Sequence, residues 1–143
     1  MKRKSLTVKN KVHKEILAHL NNREFKKIYK KFEGFLKFRK INTFVVSLSG
    51  GSDSLALVYF SKCFQILNNK KVYYVHIDHK IRKNSSKEAR DLKFLMNKFS
   101  IKCEILSWKK ITETRITQEN ARIARYSLLE RFCKKKSINA LLL

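Results

Sequence analysis

Residues 44–60, FVVSLSGGSDSLALVYF, set two adjacent glycines between two strongly apolar runs. The chain has only three glycines and no proline, so two of its few flexible positions fall together here, ringed by Ser47, Ser49, Ser52 and Ser54. The preceding run, NTFVVSL, is short, β-branched and apolar on both faces, the pattern of a buried parallel strand. The following run, LALVYFSKCFQIL, is too long for most strands and reads as a helix. A strand joined to a helix by a glycine pair is the first half of a crossover unit. A chain that begins this way commits its neighbours to the same sheet.

The remaining sequence continues the alternation. KKVYYVHI is a second strand that ends at Asp78 and His79. SSKEARDLKFLMNKF is a helix with a capping box from Ser85 to Glu88 and a buried stripe of Leu92, Leu95, Met96 and Phe99. IKCEILSW alternates as a third strand, and a polar connection through Thr112 and Thr117 leads into a further helix, QENARIARYSLLERFCKKK. Its apolar side is expected to carry Ala121, Ala124, Leu128 and Phe132. INALLL is a fourth strand, which stops at Leu143 with no turn, cap or polar terminus after it. Strand and helix in strict alternation specify an α/β protein, a parallel β-sheet with crossover helices. The abrupt stop suggests a sheet cut short after its fourth strand.

At 143 residues, with 43% hydrophobic residues, the chain is one domain by length with enough apolar mass for a core. Thirty-four Lys and Arg against 11 Asp and Glu leave a net charge of +23, which favours a polyanionic partner, nucleic acid before membrane surface. A general Lys and Asn bias in the source would also raise this charge. Residues 1–40 hold 14 of the basic residues and three acids, and so are the most cationic part of the chain. They are expected to form a basic N-terminal extension: a loosely structured leader over 1–21 with a short helix near KEILAHL, then an amphipathic helix carrying Phe25, Tyr29, Phe32, Phe35 and Leu36. Residues 41–143 are expected to form the ligand-binding domain. Cys63, Cys103 and Cys133 lie far apart with no C-x-x-C pair, which suits a reduced, cytoplasmic setting and offers no zinc knuckle. No apolar run approaches the ~20 residues of a membrane span, and no signal-peptide h-region follows the basic start.

The glycine pair follows a strand's carboxyl end, where open parallel sheets bind ligands. A helix N-terminus there presents free N–H groups and the positive end of the helix dipole, both suited to phosphate. Gly50 and Gly51 let the backbone approach an anion closely, and Ser49, Ser52 and Ser54 can add hydroxyl donors. No Lys follows the second glycine as a Walker loop requires, and the three spaced glycines of a dinucleotide fingerprint are absent. A Ser/Gly linker would not lie between a buried strand and an apolar helix, and a simple capped turn accounts for Asp53 or Ser54 but not for all six residues.

SGGSDS, Ser49 to Ser54, is similar to the SGG-x-DS loop of the N-type ATP pyrophosphatases. VHIDHKIRKNSSKEA (75–89) resembles the DH-x-x-R-x-x-S-x-x-EA element of tRNA(Ile)-lysidine synthetases, through Asp78, His79, Arg82, Ser85, Glu88 and Ala89. QENARIARYSLL (118–129) resembles that family's E-x-x-AR-x-x-RY region, somewhat altered, through Glu119, Arg122, Arg125 and Tyr126. The resemblance covers roughly residues 41–143. It implies the adenine-nucleotide α-hydrolase-like, Rossmann-like fold and an ATP-dependent ligase that converts the wobble cytidine of the CAU anticodon of tRNA(Ile) to lysidine. In that reaction ATP adenylates the base and L-lysine displaces AMP.

Carried over, Ser49, Gly50, Gly51, Ser52, Asp53 and Ser54 would hold the ATP phosphates, with Asp53 near Mg²⁺. Asp53 and Arg122 are the catalytic candidates, and Asp78, His79, Arg82 and Arg125 the candidates for substrate or phosphate contact. No resident metal site is expected, because His76 and His79 fit a strand-end turn better than a ligand pair. Plain alternatives stand beside these roles: Glu119 and Arg122 could be a solvated helix pair, and Tyr126 could simply pack.

The chain departs from the family in two respects: its basic extension of about forty residues before the loop is longer than expected, and it ends before an A-H-H-x-x-D-D element, a fifth strand and the tRNA-binding domains, so alone it is expected to be inactive. A tRNA thiolation enzyme is the alternative within the superfamily; it commonly has Lys where this loop has Ser52, and cysteines placed for sulfur transfer. Synthetases of NAD, GMP or argininosuccinate share the loop but not the DHKIR element. From another class, a basic RNA-binding module with a non-catalytic nucleotide site also fits the charge.

Overall fold

In the computed structural model, which describes residues 2–81, 83–108 and 117–143 with side chains from residue 8 onward, the apolar run ahead of the glycines is β1 (Thr43–Leu48). Phe44, Val45, Val46 and Leu48 are all buried, as expected of a strand covered on both sides. β2 (Lys71–Asp78) pairs with β1 from Thr43↔Lys71 to Leu48↔His76, and β3 (Cys103–Ser107) pairs outside β2. β4 (Leu141–Leu142) closes the other edge against β1, giving the all-parallel order β3-β2-β1-β4. Every crossover must therefore be made by a helix. These are α3 (Ser52–Leu67), α4 (Ser85–Lys98) and α5 (Gln118–Lys136).

The two-residue period of the strands divides the core. Phe44, Val46, Leu48, Val72 and Tyr74 face one way, against Val58, Cys63 and Phe64 of α3 and Met96 of α4. Val45, Val75 and Ile77 face the other way, against Leu129 and Phe132 of α5 and Ile138. The chain steps from β1 to β2 to β3 in one direction and then returns past β1 to β4. That reversal places a topological switch between β1 and β4, at the carboxyl ends of the strands. The glycine pair follows β1 at that point.

Residues 1–21 differ from the expected loose leader. α1 runs Lys2–Ala18 and a 3-10 turn, His19–Asn21, carries the chain into α2 (Arg23–Phe38). Nothing in the first 33 residues breaks a helix, since Gly34 is the first glycine and proline is absent. Val12 and Ile16, one turn apart, pack on the shared core, and the Tyr59 hydroxyl of α3 donates to the Ile16 carbonyl at 3.2 Å. On α2, Tyr29 and Leu36 are buried and Phe32 packs beside them, while Phe25 and Phe35 remain largely exposed. Phe35 lies one residue off the buried stripe, and Phe25, in the first turn, meets the rings of Tyr59 and Phe60.

The capping box expected at Ser85 is absent: Asn84 is the N-cap of α4 and makes no side-chain cap bond. The serines are used elsewhere, with Ser86 Oγ donating to Asp78 Oδ2 at 2.7 Å. Leu95 of α4 and Phe99 at its C-cap are exposed, leaving Ala89 and Met96 as its buried residues with Leu92 packed against the core. On α5 the anchors are Leu129 and Phe132; Ala121, Ala124 and Leu128 are half-buried. Thr117 caps α5 by accepting from Asn120 N at 3.1 Å, whereas Thr112 lies outside the described residues.

With glycine scarce, helices end on L-residues in the left-handed region: Lys40 (φ 55°), Asn69 (φ 49°), Ser100 (φ 54°) and Ser137 (φ 54°). The N–H of the residue that follows then reaches back across the last turn. Ile41 N donates to Leu36 O at 2.8 Å, Lys70 N to Gln65 O at 3.2 Å, Ile101 N to Met96 O at 3.0 Å and Ile138 N to Cys133 O at 2.9 Å. These are Schellman closures, and three of the four place an isoleucine against the core.

Candidate functional site

The loop after β1 owes its shape to its glycines and serines. Gly50 has φ 89°, a conformation that L-residues rarely adopt, while Gly51 is the extended N-cap of α3 (φ −75°, ψ 163°). Ser54 Oγ accepts from Ser49 N at 3.3 Å and Gly50 N at 3.2 Å and donates to Gly51 O at 2.9 Å. Ser49 Oγ accepts from Gly51 N at 3.4 Å and lies 3.1 Å from Ser54 Oγ. The first bond of α3 is Leu55 N to Gly51 O at 3.0 Å. The N–H groups of Ser52, Asp53 and Ser54 thus belong to the first helical turn, where no intrahelical acceptor exists. Together with the dipole of a sixteen-residue helix, they form an anion-binding end.

A cleft of about 480 Å³ opens beside the loop at the carboxyl ends of β1 and β2. The loop contributes Ser49 and Ser54, and β2 contributes His76, Asp78 and the following His79. Ser85 and Glu88 of α4 and Arg125 and Tyr126 of α5 complete its walls, with Leu143 at the end of β4. The parallel register brings these groups together by ending β1 and β2 side by side, Leu48 opposite His76.

Asp78 is buried, and its carboxylate accepts from Ser86 Oγ at 2.7 Å and Lys80 N at 3.0 Å. Burial pushes its pKa up, but the hydrogen bonds from Ser86, Lys80 N and Ser85 and the charge of Lys80 outweigh it, and the net shift is downward. Asp78 is therefore a fixed anion that ties the end of β2 to the start of α4, and its carbonyl also accepts from Trp108 N at 3.0 Å beyond β3. His76 Nδ1 donates to Leu48 O at 2.8 Å, which places the proton on Nδ1 and joins the two strand ends.

His79 has its pKa lowered by burial first, then by the charges of Arg125 and His76, against the pull of Asp78. Its ring is neutral at neutral pH. Its Nδ1 and the Nε of Arg125 are both buried without a hydrogen-bond partner among the described residues. A guanidinium with an unused donor beside a helix N-terminus is chemistry for phosphate. The Arg125 guanidinium also lies 5.4 Å from the centre of the Tyr126 ring.

The residues expected from the sequence divide into groups. Ser49, Ser54, Asp78, His79 and Arg125 share the cleft. Gly50 and Gly51 shape its rim, while Ser52 and Asp53 are exposed in the first turn of α3 and do not line it. Arg122 lines a neighbouring hollow of about 240 Å³, which shares His79 and Arg125 with the cleft, and its guanidinium lies 5.8 Å from the Tyr126 ring. Arg82 lies outside the described residues. Sequence reasoning set aside His76 and passed over Ile81 and Leu143, which reach the cleft. Their signal was position, at or just past the carboxyl end of a strand.

None of the three cysteines lines the cleft. Cys63 and Cys103 are buried and burial raises both thiols to about 11, so neither is a thiolate at neutral pH. Among the described residues no cluster of three or more His, Cys, Asp or Glu is arranged to hold a metal, and no helix is long and apolar enough to cross a membrane.

Comparison with known proteins agrees with this geometry. Residues 17–143 match the PP-loop domain family. The chain is 31% identical over 122 residues to a tRNA(Ile)-lysidine synthase of Rickettsia rickettsii, covering 80% of this chain and 25% of that protein. It is 31% identical over 127 residues to the bifunctional protein TilS/HprT of Listeria monocytogenes, covering 82% of this chain and 19% of that protein. A tRNA(Ile)-lysidine synthase of Rickettsia bellii is 29% identical over 119 residues. The chain spans between 19% and 28% of the length of these relatives. With the family match running from the end of α1 to Leu143 and the serine–glycine loop, Asp78 and Arg125 gathered at one cleft, the chain belongs to the PP-loop domain family.

Proposed function

We propose that this chain supplies the ATP-binding part of an enzyme that makes lysidine at the wobble cytidine of a CAU-anticodon tRNA(Ile). The observation that carries the reading is the convergence, across one cleft, of the loop Ser49 and Ser54 with Arg125 of α5. The free N–H groups of the first turn of α3 take phosphate oxygens, and Arg125 faces the charge that builds as diphosphate leaves the α-phosphorus. Arg122, in the adjoining hollow, and Arg82 are assigned to the same phosphates or to the tRNA backbone. His79 and Asp78 form the wall against which the base is presented, Asp78 as the anchor of that wall. Similarity to proteins named tRNA(Ile)-lysidine synthase supports tRNA(Ile) as the acceptor and lysine as the second substrate.

The chemistry has two halves. The cytosine O2 attacks the α-phosphorus and diphosphate departs; the lysine ε-amine then adds at C2, loses a proton, and AMP leaves with the oxygen. Mg²⁺, if bound, would offset the charge of the phosphates. Asp53 is the carboxylate of the loop suited to hold it. Thiolation through a cysteine is disfavoured, because no cysteine reaches the cleft.

Two measurements test the reading. Titration with a fluorescent ATP analogue should show binding that Arg125→Ala and Gly51→Asp each weaken by about tenfold or more, as expected for one lost charge-assisted contact. In a protein extended past Leu143, radiolabelled lysine should then pass to a CAU-anticodon tRNA only with ATP, with one AMP and one diphosphate released per lysine. Incorporation of sulfur in place of lysine refutes the lysidine reading. Affinity for ATP that is negligible and the same in all three proteins refutes the assignment of the loop.

A further inference from the structure

A second cavity, of about 400 Å³, lies away from the loop, at the edge of the sheet where the strands begin. Four lysines line it: Lys9 of α1, Lys62 of α3, Lys70 just before β2 and Lys102 just before β3. No Asp or Glu does. Lys62 is 4% exposed, and its ammonium donates to Gln65 Oε1 and to Ser100 O, each at 3.0 Å. Both acceptors are neutral, and an ammonium has a third donor. Among the described residues Lys62 forms no ion pair. Tyr74, 3% exposed, also lines the cavity, and among the described residues its hydroxyl has no hydrogen-bond partner; the same holds for Nε2 of His13.

A buried cation costs several kcal/mol unless an opposite charge meets it. A lysine that merely ties α3 to the Ser100 turn accounts for two of the three donors. It leaves unexplained why three more lysines gather at the same cavity without a carboxylate, and why a buried tyrosine hydroxyl faces nothing. These groups show the strain of unneutralised charge. Burial first, then the charge of Lys9, lowers Lys62 to about 8; burial, Lys62 and Lys9 lower His13. An anion with several acceptor oxygens would satisfy all of them.

We infer that this cavity is a binding site for a phosphate group, held by Lys62 and the Tyr74 hydroxyl at its floor and by Lys9 and Lys102 at its mouth. The group is a free phosphate or the backbone phosphate of an RNA lying across α1. The site is separate from the loop after β1 and does not depend on the reaction assigned there.

Its test uses the ¹⁵N-labelled chain carrying Gly51→Asp, so that phosphate taken up by the loop makes no contribution. Inorganic phosphate is titrated against chloride at constant ionic strength while amide resonances are followed. Saturable shifts are expected at Tyr74, Ser100, Ile101 and Lys102. The affinity should fall about tenfold or more in Lys62→Met, the loss of one charge-assisted bond. Should that variant fail to fold, the doubly substituted Lys9→Gln/Lys102→Gln chain, altered only at exposed side chains, is expected to show the same loss. A short single-stranded RNA that shifts the same amides and is displaced by phosphate identifies a backbone phosphate as the source; phosphate shifts without a response to RNA identify the free anion. Absence of saturable shifts at these amides, or an affinity unchanged in the substituted chains, overturns the inference.

Discussion

Gly50 and Gly51 are adjacent but have different reasons to be glycine. Gly50 holds φ 89°, so any side chain there is strained although nothing lies within 4 Å of where its Cβ would stand. Gly51 has an ordinary φ, and a Cβ there would meet only Ser49 Oγ at 3.6 Å, an ordinary contact. Gly50→Ala is therefore expected to lower stability by about 1–2 kcal/mol, the usual penalty of a left-handed L-residue, and to displace the Ser49 and Gly50 N–H groups from Ser54 Oγ. Gly51→Ala is expected to change stability by less than about 0.5 kcal/mol, as an unstrained change does. Urea denaturation of the two variants reads the difference, and equal destabilisation would show that backbone conformation is not what separates them. If phosphate packs against Gly51, the same Gly51→Ala chain weakens ATP binding while remaining as stable as the parent. Asp78 illustrates the reverse case, a residue legible from its motif whose work is partly structural, since it accepts from Ser86 and Lys80 N and so fixes the cleft wall.

The elements were legible where apolar period and length agreed. β1, β2, β3 and α3 to α5 lie close to where NTFVVSL, KKVYYVHI, IKCEILSW and the three helical runs place them. Two kinds of feature were not legible. The length of α1 depends on Val12 and Ile16 finding α3, a contact forty residues away that no local pattern announces. At the start of α4 the hydroxyls of Ser85 and Ser86 are turned to Asp78, a tertiary partner that local sequence does not announce, and Asn84 rather than Ser85 is the N-cap. The site followed the same division: Ser49, Ser54, Asp78, His79 and Arg125 came from motifs, whereas His76 and Leu143 enter through strand register and sheet order. Helix ends carry a prediction of their own. Ser100 and Ser137 sit at φ 54° inside Schellman closures whose isoleucines are buried. Replacing either by glycine removes the strain of the left-handed conformation and keeps the closure, so Ser100→Gly and Ser137→Gly are each expected to raise stability by roughly 0.5–1 kcal/mol. Thermal unfolding checks this, and a fall in Tm for both would mean that the serine side chains contribute more than their backbones cost.

At the scale of the molecule, the question is whether residues 41–143 can stand without the basic segment before them. Charge alone sets 1–40 apart, and the family match already begins at residue 17, inside α1. Packing draws the line elsewhere. Leu36 is fully buried, and Ile16 and Tyr29 nearly so, in the same cluster as Phe44, Val46 and Phe64. A polar network adds to this apolar contact: Tyr29 Oη donates to Glu33 Oε1 at 3.0 Å, Asn68 Nδ2 at the end of α3 donates to the same oxygen at 2.8 Å, and Lys37 pairs with it at 3.2 Å. Deleting residues 1–40 would uncover Phe60 and Phe64 of α3 and leave Asn68 without its acceptor. The shortened chain is expected to lose cooperative unfolding, measured as the coincidence of far- and near-ultraviolet circular dichroism melts. Leu36→Ala in the intact chain is expected to cost about 2–5 kcal/mol, the range for a leucine removed from a packed core, and to lower ATP binding only as far as it unfolds the protein. If the shortened chain instead melts cooperatively and binds ATP as the intact chain does, then α1 and α2 are an appended arm, and their lysines are free to serve a partner without holding the sheet together.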